Sequence, residues 1–94
     1  MKMQGCFSDL NSVLIQGRVK GAVNHDGKVS SFEIESVRQI ADGQIVTVVP
    51  VIANGKLGES SSEHLSDGRE VRVVGRLGNS LSGLKLLAEH IEYR

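Results

Sequence analysis

The sequence contains no tryptophan, one tyrosine and two phenylalanines, so Phe7, Phe32 and Tyr93 are its whole aromatic inventory. One cysteine, Cys6, excludes an internal disulfide and suits a reducing, cytoplasmic setting. Lysine plus arginine equals aspartate plus glutamate, 11 against 11. No net field therefore draws the chain toward nucleic acid or a membrane, and any anion binding has to come from local clustering of cations. No apolar run approaches the ~20 residues of a membrane span. The opening "MKMQGCFSDL" has one lysine and no apolar core, so it reads as neither a signal peptide nor, at Gly5-Cys6, a lipidation site.

The usual chemical signatures are missing as well. Gly55-Lys56 would need a glycine five positions upstream and a hydroxyl residue after it to form a phosphate-binding loop, but Pro50 and Leu57 stand there. His25, His64 and His90 lie far apart, with no carboxylate or cysteine at metal-ligand spacing. No serine sits in a nucleophile elbow, and Asp26, Asp42 and Asp67 all belong to turn signals. The expectation is a protein that is not an enzyme and holds no cofactor and no metal.

What is present is alternation. "VLIQGRV" at 13–19 and "VRVVGRL" at 71–77 are nearly the same heptapeptide, each with a glycine inside a strand pattern and an arginine after it. Val13, Ile15, Gly17 and Val19 share one face, and Gln16, Arg18 and Lys20 the other, which is the period of a half-buried strand. Phe32 and Ile34 point inward in the next strand, with Glu33 and Glu35 outward. Residues 45–52 are apolar on both faces except at Thr47 and Pro50, as in a strand covered on both sides or lying at an oligomer interface. Proline cannot donate to a ladder, so Pro50 belongs near an edge or a strand end. Residues 54–65 lose the alternation and suggest one or two helical turns. In the last strand Leu84, Leu86 and Ala88 are out of phase with Ile91 and Tyr93, which predicts a β-bulge.

Turn signals at 24–27 ("NHDG"), 41–43 ("ADG"), 66–68 ("SDG") and 78–83 ("GNSLSG") separate these segments. Strands are predicted near residues 12–20, 28–38, 44–53, 69–77 and 84–93. The expected core is Val13, Ile15, Val19, Phe32, Ile34, Val49, Val51, Val71, Val73, Leu77, Leu84 and Leu86. Five strands in 94 residues expose long edges unless the sheet curls shut, and glycines inside strands mark the sharp bends that closure needs. The fold class read from this order is all-β, a five-stranded OB-fold Greek-key barrel with a short helical connector between strands 3 and 4. The chain reads as a single OB-fold domain over 1–94, with 1–10 a poorly ordered N-terminal segment.

"LNSVLIQGRV", "FEIESVR", "GKLGE", "SSEHLSDGREVRVVGRL" and "LLAEHIEYR" resemble, in order, the bacterial single-stranded DNA-binding protein family over roughly residues 10–94. The resemblance implies an OB barrel that binds single-stranded DNA without strong sequence preference and assembles as a homodimer or homotetramer. It also implies a role in DNA replication, recombination or repair, with replication proteins as further partners. The chain departs from the family pattern where bases are stacked: Val48 and Asn54 stand at positions where relatives carry a tryptophan and another aromatic. The connections at 38–44 and 78–83 are short, where relatives often carry long basic-aromatic loops. Stacking is worth ~1–3 kcal/mol per base, so two lost platforms would weaken binding severely.

The candidate nucleic-acid-binding residues are Arg18, Lys20, Arg38, Val48, Asn54, Lys56, Arg72, Arg76 and Lys85. The cations would contact phosphates along a groove over strands 2 and 3. The competing reading is solvated charge, with Arg72, Arg76 and Glu70 in a mixed-charge ladder. Phe32 reads as core rather than as a base platform, and Tyr93 as either a platform or barrel-end packing. Two functional alternatives stand beside DNA binding, with RNA as a possible ligand in place of DNA. One is a primosome-type accessory OB protein that binds single strands weakly. The other is a structural or protein-interaction OB module with no nucleic-acid ligand.

Overall fold

The two strand glycines sit where the chain turns corners. In the structure, a computed structural model that describes residues 9–94, β1 (Val13–Asp26) pairs antiparallel with β4 (Glu70–Ser80) over Val13 to Arg18. It then passes to β2 (Val29–Ile40), so that Arg18 faces Glu70 on one side and Glu35 on the other. A Cβ on Gly17 would collide with the Glu35 carbonyl, and one on Gly75 with the Leu87 carbonyl. Only glycine lets the backbones approach this closely. β3 (Gly43–Ala53), α1 (Gly55–His64) and β5 (Gly83–Tyr93) complete the chain.

The strands close into a barrel in the order β1-β2-β3-β5-β4. Every contact is antiparallel except the closing one, a parallel pairing of Val51 with Leu86 and Ile52 with Leu87. With its helix between strands 3 and 4, this is the predicted five-stranded OB barrel. The expectation for residues 1–10 falls outside the described residues for all but its last two positions. At the entry to β1, the Asn11 side-chain amide donates to the Leu77 carbonyl at 2.8 Å and accepts from the Leu77 N–H at 2.9 Å. It thereby continues the β1–β4 ladder one step beyond Val13.

The buried core is Val19, Phe32, Ile34, Val51, Ala53, Leu65, Val71, Val73, Leu86 and Ile91, with Val13, Ile15 and Val49 partly buried against it. Two expected core residues are not in it: Leu77 is 38% and Leu84 55% exposed. The β4–β5 hairpin runs past the barrel wall as far as the Ser80–Gly83 pair, and these leucines lie on that projecting arm. The predicted bulge is present. Val74 faces His90 while Gly75 faces Ala88, which leaves Glu89 as the extra residue and brings Ile91 to the inner face.

The strands are longer than alternation suggests because the hairpin turns are tighter. Asp26 pairs directly with Val29, so the polar stretch Asn24 to Asp26 stays in the ladder. The β2–β3 hairpin likewise continues to the Ile40–Gly43 pair. α1 has a weak sequence of its own, and the Asn54 side chain makes no capping bond at its start. What holds it is packing, through Leu57 and the following Leu65, which the core absorbs.

Candidate nucleic-acid interface

Directly opposed residues of antiparallel strands point to the same side, so the registers define the outer face of β1-β2-β3. Val19, Ile34 and Val49 face inward in one row. The rows on either side of it face out: Arg18, Glu35 and Val48, then Lys20, Glu33 and Pro50. Read along the strands, β1 presents cations, β2 carboxylates and β3 an apolar stripe that includes Val46, Val48, Pro50 and Ile52.

Between Lys20 and Asn24 the β1–β2 register slips, so that Gly21, Ala22 and Val23 oppose Phe32 alone. The displaced backbone is tied down by Asp67, whose Oδ1 accepts from the Gly21 N–H at 2.7 Å. This bulge forms one wall of a groove of about 390 Å³. Lys20, Glu33 and Lys85 rim the groove, and Phe32, Pro50 and Val51 contribute apolar surface.

The sequence candidates divide into three sets. Lys20 and Lys85 meet at the groove, with Arg18 and Val48 one row away on the same face. Arg38 lies on the β2–β3 arm opposite Ile45, in phase with the inward row and so on the arm's other side. Asn54 and Lys56 stand exposed at the start of α1, outside the groove lining. Arg72 and Arg76 belong to the β1-β4-β5 face, where they are engaged. Arg72 donates to Gln16 Oε1 from Nε at 3.1 Å and from Nη2 at 2.8 Å, and its Nη1 lies 3.7 Å from Glu92. Arg76 Nε donates to Glu89 Oε2 at 2.7 Å. That face is a mixed-charge ladder.

The remaining candidate cations are uncommitted. Among the described residues, Arg18, Lys20, Arg38, Lys56 and Lys85 form no ion pair, and the Glu33 and Glu35 carboxylates accept no hydrogen bond. Tyr93 is occupied as barrel-end packing. Its ring stacks on His64 with centroids 5.0 Å apart, Arg69 lies 6.0 Å from its centroid, and its hydroxyl is 3.1 Å from Ser60 Oγ. Phe32 is core, as expected. Among the described residues no group of three or more His, Cys, Asp or Glu side chains could hold a metal ion, and no helix is long and apolar enough to cross a membrane.

What pattern reasoning does not reach is the groove wall and the mixed charge of its rim. The alternation of Glu33 with Phe32 already places the carboxylate outward. Only the strand pairing shows that it stands between Lys20 and Pro50.

No protein-family model matches the sequence, and no curated protein matches it. Solved structures do. A small single-stranded DNA-binding protein from Streptomyces coelicolor superposes with a TM-score of 0.77 at 18% identity, over 88% of this chain and 91% of that one. The second single-stranded DNA-binding protein of Mycobacterium smegmatis gives 0.77 at 18% identity, over 88% and 87%. A small single-stranded DNA-binding protein from Mycoplasma pneumoniae gives 0.75 at 16% identity, over 89% and 93%. At these identities the likeness shows a shared fold, an OB barrel matched over nearly its whole length.

Proposed function

We propose that the chain binds single-stranded DNA across the outer face of β1-β2-β3, stoichiometrically and without making or breaking bonds. The observation that carries this reading is the groove itself, with two lysines, Lys20 and Lys85, that form no ion pair among the described residues, over an apolar lining. Cations that track a phosphate backbone beside apolar surface are the general design of single-strand binders. The solved structures of the same fold are of single-stranded DNA-binding proteins, and this supports the reading. Anisotropy titration of a labelled oligonucleotide at two salt concentrations tests it. Binding that weakens with added salt is expected, and no binding at low salt would defeat it.

The reading includes self-association as a homodimer or homotetramer and service in replication, recombination or repair. Support for self-association comes from Ile45 and Val46, neighbours in β3 that place exposed apolar side chains on both faces of that strand. Light scattering at micromolar concentration tests it, and a monomeric mass would overturn it. One observation favours a second reading, a protein-interaction OB module: the β3 stripe is aliphatic throughout and offers no stacking ring. Failure of every oligonucleotide to bind would select that module.

A further inference from the structure

We propose that Asp67 is a positioning residue for DNA binding: without touching the ligand, it fixes the groove wall and so the place from which Lys20 reaches. This rests on the groove being a single-stranded DNA interface. Residues 66–69 form a tight turn, closed by the Arg69 N–H donating to the Ser66 carbonyl at 3.0 Å. Two backbone bonds lock that turn to the buried Val19. The Gly68 N–H donates to the Val19 carbonyl at 2.7 Å, and the Val19 N–H to the Arg69 carbonyl at 2.9 Å. From this anchored position the Asp67 carboxylate reaches two residues further along β1, where its Oδ1 accepts from the Gly21 N–H at 2.7 Å.

What the carboxylate holds is the stretch where β1 and β2 lose register, between Lys20 and Asn24. Gly21 has a φ of 80°, and a Cβ there would meet nothing within 4 Å. No neighbouring side chain packs this residue in place, and glycine leaves such a conformation readily. Gly21 and Ala22 line the groove beside Lys20 and Asn24, whereas Asp67 does not line it. A lysine ammonium on its flexible stem is aimed only as well as its backbone is held, and holding it beforehand lowers the cost of binding. The sign of the effect separates this role from plain electrostatics. A carboxylate near a polyanion repels it, so deleting one should tighten binding. Deleting a tether should weaken it.

The test measures oligo-dT binding by anisotropy for the wild type, Asp67→Ala and Asp67→Asn, and for Asp67→Ala with and without Lys20→Ala. Each is read at a temperature where its melting curve shows the chain folded. Asparagine keeps the Oδ1 acceptor and loses the charge. Asp67→Ala should bind about three- to tenfold more weakly than the wild type, the worth of one net hydrogen bond. Asp67→Asn should bind at least as tightly as the wild type. In the Lys20→Ala background the loss from Asp67→Ala should shrink to within about twofold, because the two act through one element. Unchanged or tighter binding in Asp67→Ala, an equal loss in Asp67→Asn, or equal losses in both backgrounds overturns the positioning role while leaving DNA binding intact. No binding by the wild type overturns both.

Discussion

The Ser30 hydroxyl donates to the Gly58 carbonyl and so ties β2 to α1. Ser30 is fully buried, and His25 Nδ1 lies 2.9 Å from its oxygen. A hydroxyl has one proton, and here it is committed to Gly58, so His25 must be the donor and carries hydrogen on Nδ1. Ser30→Ala removes this buried bond to the helix and takes away the acceptor that faces His25. The expected loss is about 0.5–1.5 kcal/mol, read as a lower urea midpoint. His25→Ala should cost less, because the ring itself is exposed.

The corner glycines give a sharper test of the barrel. Gly17→Ala and Gly75→Ala each drive a methyl into a backbone carbonyl of the neighbouring strand, which cannot move aside without opening the ladder. Each should cost at least about 1–3 kcal/mol in chemical denaturation. Unchanged midpoints in both would mean that the strands do not approach as described.

These corners were legible in the sequence because a glycine that interrupts alternation is a local signal. So was the bulge before Ile91, since the change of phase is written into residues 84–93. Leu77 and Leu84 show where such reasoning stops. Alternation says which residues share a face, but it continues unchanged along a hairpin arm that has left the barrel, so it cannot say where the wall ends. The division of the cations was equally hidden. Arg18 and Arg76 occupy the same place in twin heptapeptides, yet one stands in the row with Val48 and the other is held by Glu89. That difference arises from pairing partners distant in the chain.

The same division predicts salt dependence. Each lysine that contacts a phosphate contributes ~0.7 to the slope of log affinity against log salt on single strands. Lys20→Ala and Lys85→Ala should each make that slope shallower by about this amount. Arg76→Ala should change it little, because its guanidinium already faces a carboxylate at 2.7 Å. The reverse pattern would move the interface to the β1-β4-β5 face.

Val48 tests whether that face can be restored to a stacking surface. It is 38% exposed, outward on β3 and in the row with Glu35 and Arg18. A larger side chain there meets solvent and not the core, so overpacking is not the expected result. Val48→Trp should supply one platform and tighten oligonucleotide binding by about 1–3 kcal/mol, roughly ten- to hundredfold. The gain should survive high salt, since stacking releases no counterions, whereas a gain from an added lysine would fade. If the β2–β3 arm is instead buried between subunits, the variant should dissociate on light scattering while its affinity stays level. A variant that keeps its mass and melting temperature but gains no affinity would show that bases do not pass over β3.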